Sequence, residues 1–334
     1  MHKVYSLAPD VLRRVAAMYG KQVARFGVVE SGYRNASHSF TSTDGERLNF
    51  ILYKREPGSA ELIRRTDQLG RHVAARGLPV RAPVDERIVQ AGQRYGSLYN
   101  YLPGQTIAWE MYAMKHIKLL GFGLASFHAA AKDAETALPD VETVYEEIWR
   151  RVKAYFSDRS VVRAMREKLG FHVELPDVLP LLAATCALPD RQPLHMDFVR
   201  SNLLFRSAQT GDMLVVDGVA LSGILDLEKA ARGHVMFDLA RTLAFLLVDC
   251  PKPAQKIYKY FLLSGYAKRG GRDVLNEASR NIPYPPLTVL HQLETMFLTY
   301  DLYKFLHQNP YESLSDNHHF RRTVSILRER KVVH

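Results

Sequence analysis

The sequence predicts an α+β protein of two lobes, a small β-rich N-lobe followed by a larger, mainly helical C-lobe, and three observations predict it. Strand-like alternation with a Gly-containing turn fills the stretch from Gly27 to Lys54. Beyond Pro103-Gly104, apolar residues recur at helical spacing over long segments. The 334 residues, 47% of them hydrophobic, exceed one average domain and suffice for a sizeable core, which excludes disordered and fibrous classes.

Taken in order, the first twenty residues read as a short amphipathic helix, because Asp10, Arg13 and Arg14 interrupt the apolar run that a signal peptide needs. Two strands follow, joined at the hairpin turn signal Asp44-Gly45. Leu62, Leu69 and Val73 recur among charges from Ser59 to Arg76, and Gly77 and Pro79 end that helix. Short strands are expected at Arg87–Ala91 and Tyr95–Tyr101, and the break at Pro103-Gly104 puts the lobe boundary between residues 1–100 and 101–334. Helices are then expected over Ala108–Ala131, Glu142–Phe156, Ser160–Lys168, Phe237–Val248, Lys252–Ala267 and Pro286–Leu306, around one β-like island from Leu194 to Leu227. No internal repeat or low-complexity tract is present, so solenoids are excluded.

The net charge of +10 first suggests an anionic partner. It divides as +7 over residues 1–100, −1 over 101–194 and +4 over 195–334, and its basic residues are scattered rather than blocked, which argues against a nucleic-acid tail. Cys186 and Cys250 lack metal or disulfide spacing, so a reducing cytoplasm is expected. No apolar run approaches the roughly 18 residues of a membrane span.

The phosphate loop GxxxxGK[ST] and the GxSxG elbow are both absent. Gly121-Phe122-Gly123 begins a GxGxxG pattern, but Ser126 fills its third position inside a helical stretch. The informative segment is Leu194-His195-Met196-Asp197-Phe198-Val199-Arg200-Ser201-Asn202-Leu203. Its carboxylate and carboxamide, five residues apart between apolar flanks, are costly to enclose unless partnered. Asp226 ends a second apolar strand 24 residues beyond Asn202, so the two side chains can converge from one hairpin. Two oxygen ligands together with triphosphate oxygens suit Mg²⁺, which leaves Asp197 to accept a proton from a hydroxyl.

His195-x-Asp197-x4-Asn202 followed by Asp226-Leu227-Glu228 resembles the signature of the aminoglycoside phosphotransferase/choline kinase-like family, distant relatives of protein kinases. The resemblance extends to Ser31-Gly32-Tyr33-Arg34-Asn35 as the loop over the phosphates, Lys54 as a third-strand lysine, Gly77-Leu78-Pro79-Val80 after the N-lobe helix, and Tyr99 to Gly104 as the hinge. It implies a protein kinase-like fold and ATP and Mg²⁺ as cofactors. It also implies Asp197 as the base, Asn202 and Asp226 as metal ligands, Ser31, Gly32, Asn35 and Lys54 at the phosphates, and backbone groups from Asn100 to Leu102 at adenine. The chemistry would rest on positioning and charge neutralisation.

Three departures stand out. Met196 occupies a usual glycine position, and the acid paired with Lys54 is either Glu61 or Asp67. Arg200 is either a catalytic clamp on the transferring phosphate or a brace of the loop. Asp238 is assigned to capping its helix and bracing the catalytic loop, and His128 to helix packing. His195 is expected to brace the loop, and the His318-His319 pair lacks metal spacing.

The acceptor site is expected in the helical lobe after Lys252, where Lys and Arg outnumber the carboxylates. That composition argues against a polycationic acceptor and suits a sugar, an amino alcohol or another small hydroxyl compound. The alternative reading is a catalytically weak, kinase-like binding or scaffold protein whose basic N-lobe meets anionic partners. Nothing in the sequence sets an oligomeric state.

Overall fold

The computed structural model describes residues 7–31, 35–270 and 286–334. Helix α1 (Pro9–Met18) starts with proline in its first turn, where no N–H is lost, and buries Leu12, Val15 and Ala16. Strands β1 (Val23–Ser31), β2 (Ala36–Ser42), β3 (Arg47–Leu52), β4 (Val89–Ala91) and β5 (Arg94–Asn100) form an antiparallel sheet in the order β1-β2-β3-β5-β4. Strict alternation of burial along β2 shows one face turned to the core, as its sequence pattern requires. Helix α2 (Ser59–Ala74) packs on this sheet, and Ile51, Tyr53, Ile63 and Tyr99 form a small buried cluster between them.

The chain leaves the sheet at Tyr101 and is pinned at once. Ser222 Oγ donates to Pro103 O at 2.6 Å, and Gln105 and Phe205 exchange backbone hydrogen bonds of 3.0 and 2.8 Å. Gly104 has φ +128° and faces Ser222 with no room for a Cβ, so only glycine serves there. Helix α3 (Met114–Ala131) begins later than its sequence pattern because a 3₁₀ turn at Trp109–Met111 comes first. Helices α4 (Val141–Ser157), α5 (Arg159–Leu169) and α6 (Leu179–Cys186) follow. Strand β6 (Gln192–Leu194) pairs with β10 (Ala231–Gly233), and β7 (Leu203–Ser207), β8 (Val215–Val216) and β9 (Val219–Ile224) pair in the order β7-β9-β8.

The last part is α7 (Met236–Asp249), α8 (Ala254–Tyr258), α9 (Pro286–Gln308) and α10 (His318–Glu329). The continuous helix expected over Lys252–Ala267 is instead α8, a π turn at Lys259–Leu263 and a 3₁₀ turn at Tyr266–Arg269. The break has a packing reason: a Cβ on Gly265 would lie 3.0 Å from Gly121 Cα and 2.8 Å from Lys118 O. Gly121 of α3 is thus a point of close backbone approach, which accounts for Gly121-Phe122-Gly123 as packing. Among the described residues, no helix is long and apolar enough to cross a membrane.

Candidate active site

The loop between β6 and β7 is held from behind by Asp238, a carboxylate with no solvent exposure. It accepts from the backbone N–H of His195 (2.7 Å) and Met196 (2.6 Å), and its Oδ2 lies 2.9 Å from His128 Nε2. Asp238 therefore braces the loop but does not cap α7, whose first turn follows Val235 without a side-chain cap. His128 is packed between Asp238 and the Tyr266 hydroxyl (2.8 Å). His195 is fully buried, its Nδ1 accepting from Asp197 N–H (3.2 Å) and its Nε2 3.0 Å from Leu225 O. Burial holds its pKa below the ordinary value, so the ring is neutral and ties β6 to the end of β9. Met196 adopts φ +60°, the left-handed conformation that glycine would take without strain.

These supports fix Asp197. Its Oδ2 accepts from Asn202 Nδ2 (3.0 Å) and lies 2.9 Å from Lys229 Nζ, whereas its Oδ1 is buried and has no hydrogen-bond partner. Burial pushes the carboxyl upward, but Lys229 beside it and Arg241 behind outweigh burial and leave the pKa below the ordinary aspartate value. Asn202 and Asp226 stand at facing ends of the β7–β9 hairpin, where Leu203 pairs with Ile224 and Leu225 N–H donates to Asn202 O (2.8 Å). Asp226 has φ +56°, a conformation that aspartate tolerates, and one of its oxygens accepts from Glu228 N–H (3.2 Å).

The N-lobe meets this hairpin through Asn35, which donates to Glu228 and accepts from Lys54 N–H (3.1 Å). Ser31 ends β1 opposite Ala36, and Gly32, with Tyr33 and Arg34, lies outside the described residues. Lys54 departs from its expected place. Strand β3 ends at Leu52, and the Lys54 ammonium is 51% exposed and paired with Glu56 at 3.0 Å, rather than with Glu61 or Asp67. The inward position belongs to Tyr53, whose hydroxyl meets that of Tyr99 (2.7 Å), which in turn donates to Asp67 (2.7 Å).

At the hinge, Asn100 N–H is taken by Ala82 O (3.3 Å) and Tyr101 N–H by Arg47 O (3.2 Å). Of the backbone donors from Asn100 to Leu102, this leaves Leu102 N–H free for a ligand. Arg200 acts as a brace: its Nε donates to Asp249 (2.8 Å) and its Nη1 to Ile107 O (3.2 Å). Two cations near the carboxylates escaped sequence reasoning. Lys229 directly follows Asp226-Leu227-Glu228 and Arg81 directly follows Gly77-Leu78-Pro79-Val80, but neither is set apart in the sequence from the other scattered basic residues.

Beside the loop opens a cavity of about 440 Å³ whose walls include Arg200, Ser201, Asp249, Asp301, Lys304 and His319. Its carboxylates already hold cations: Asp249 holds Arg200 and also lies 2.8 Å from His319 Nε2, and Asp301 holds Arg241 and Lys304. Asn202 and Asp226 supply two oxygen donors, a set that fits a divalent cation of the Mg²⁺ kind, which keeps its remaining positions for water and phosphate oxygens. The unpartnered, buried Asp197 Oδ1 fits a proton-accepting role beside it.

The chain matches the model of the phosphotransferase enzyme family over residues 26–271. It is 27% identical over 250 residues to the homoserine kinase of Neisseria meningitidis serogroup B (strain ATCC BAA-335 / MC58), covering 70% of this chain and 71% of that protein. Its fold is similar to that of amicoumacin kinase hAmiN solved with AMP-PNP, Ca²⁺ and Ami (TM-score 0.64, 14% identity, 99% of this chain and 97% of that one). It is similar also to macrolide 2'-phosphotransferase MphH from Brachybacterium faecium (TM-score 0.56, 20% identity, 94% and 98%). With the family model spanning strands β2 to β5, the braced loop and the β7–β9 hairpin, the chain belongs to the phosphotransferase enzyme family.

Proposed function

We propose that this phosphotransferase moves the γ-phosphate of ATP to a hydroxyl of a small molecule, with Asp197 as the base. The observation that carries the reading is the division of labour in one carboxylate: Oδ2 is held by Asn202 and Lys229, and Oδ1 is buried without a partner. That free oxygen takes the acceptor's proton as the acceptor oxygen forms its bond to Pγ, and the bond from Pγ to the β,γ-bridging oxygen breaks to release ADP. Asn202 and Asp226 are the residues that would hold Mg²⁺, whose chemistry when bound is to neutralise charge developing on the phosphate oxygens. Leu102 N–H offers a hydrogen bond to the base of the nucleotide, and Asn35 holds the N-lobe against Glu228. The AMP-PNP in the amicoumacin kinase structure supports ATP as donor.

The acceptor is placed in the cavity beside Arg200 and Ser201. Because Asp249 and Asp301 are already paired with cations, the cavity suits a neutral or zwitterionic hydroxyl compound better than a polycation. The homoserine kinase relative makes small hydroxy amino acids the first acceptors to try, beside sugars and amino alcohols. The test is Asp197→Ala assayed for ADP release and for thermal stabilisation by ATP. Release should fall at least about a hundredfold with stabilisation retained, since the base acts on the acceptor. Wild-type turnover by the variant would overturn the assignment.

A further inference from the structure

Resting on the kinase reading above, we propose that Arg81 is the N-lobe cation of the nucleotide site, its guanidinium taking phosphate oxygens of ATP where a third-strand lysine was expected. The segment carrying it is fastened to the metal-binding hairpin. Ile224 N–H donates to Pro79 O (2.7 Å), Arg81 N–H donates to Ile224 O (2.8 Å), and Val80 pairs with Ile224. This places Arg81 beside the end of β9, two residues before Asp226. Its guanidinium carbon lies 4.9 Å from the centre of the Tyr99 ring, so the side chain runs along the floor of the N-lobe between the hinge strand and the hairpin.

Nothing among the described residues takes up that guanidinium by a hydrogen bond or an ion pair, and the side chain is half-buried. Burial opposes its charge, and the Tyr53 and Tyr99 hydroxyls with Asp226 and Glu228 outweigh burial and keep it cationic. A fork of five donors held beside two carboxylates pairs bidentately with phosphate oxygens, and a triphosphate arriving at Asp226 supplies them.

The other candidate for this task is engaged elsewhere. Lys54 pairs with Glu56 in solvent. The inward layer that would receive a lysine is closed by Tyr53, Tyr99 and Asp67, hydrogen-bonded in series at 2.7 Å each. Burial pushes the Asp67 pKa up, so this layer satisfies its acid with a phenol rather than an ammonium.

The test compares Arg81→Met, Arg81→Lys and Lys54→Met for binding of a non-hydrolysable ATP analogue by calorimetry, without acceptor, alongside melting temperature. Arg81→Met should weaken the analogue about tenfold or more, Arg81→Lys should recover part of the loss, and Lys54→Met should stay within about threefold of wild type. If Arg81→Met does not fold, Arg81→Lys decides: weaker binding at an unchanged melting temperature supports the proposal, and wild-type affinity overturns it. Loss confined to Lys54→Met also overturns it while leaving the kinase reading intact. A wild-type chain that binds no nucleotide overturns both.

Discussion

Asp197 keeps its charge in surroundings that oppose it, and Lys229 is the foremost of the groups that hold it charged. Lys229 at 2.9 Å and Arg241 behind it together offset burial, so the folded pKa is depressed and the carboxylate persists below the ordinary aspartate range. The sign follows: the stabilisation from this contact is present above the unfolded pKa and is lost as pH falls through the lower folded value. Lys229→Met should therefore shift the acid limb of the kcat profile to higher pH, and an unmoved limb would show that Lys229 does not tune the base. Met196 sets two effects against each other. Its left-handed backbone costs about 1–2 kcal/mol, but its side chain is only 2% exposed, and deleting such a chain costs about 2–5 kcal/mol. Met196→Gly should accordingly be destabilising, read as a lower denaturant midpoint. Asp197, Asn202 and Asp226 were legible in the sequence because polar residues between apolar flanks need partners. Lys229 and Arg81 were not, because each is one basic residue among many until the fold places it.

At the scale of elements, α7 and α9 are tied by a buried ion pair, Arg241 to Asp301, at 2.8 and 3.2 Å. Burial raises the Asp301 pKa, but Arg241 and Lys304 outweigh it and bring it down to about 2. The pair thus stabilises the fold above the ordinary aspartate pKa, and its contribution fades as pH falls toward 2. Arg241→Met leaves the carboxylate buried with one cation fewer and should cost about 3–5 kcal/mol in urea unfolding; a loss below about 1 kcal/mol would show that the cluster relaxes around it. Long amphipathic helices and the N-lobe hairpin were readable from periodicity. Three-residue strands such as β6 and β10 have no period to read, and the helix expected over Lys252–Ala267 breaks because Gly265 must approach α3. That constraint is tertiary and leaves no local mark.

For the molecule as a whole, the net charge of +10 does not collect at the cavity beside Arg200, where cations and carboxylates are paired with one another. Neutral and zwitterionic hydroxyl compounds should therefore show higher kcat/KM than polycationic aminoglycosides in an ADP-release panel, and the reverse order would contradict the cavity assignment. The sequence motifs marked the β6–β7 loop and the β7–β9 hairpin, but the placing of Arg81 beside that hairpin and the pairing of the cavity charges are visible only in the packed structure. The central claim, phosphoryl transfer to a carbon-bound hydroxyl by Asp197, is tested most directly by ³¹P NMR of the reaction with the best acceptor, run with wild type and Asp197→Asn. The account predicts a new phosphomonoester resonance growing in equal amount with ADP for wild type and absent for Asp197→Asn. Inorganic phosphate as the sole product, or the same ester formed at the same rate by the variant, would contradict it.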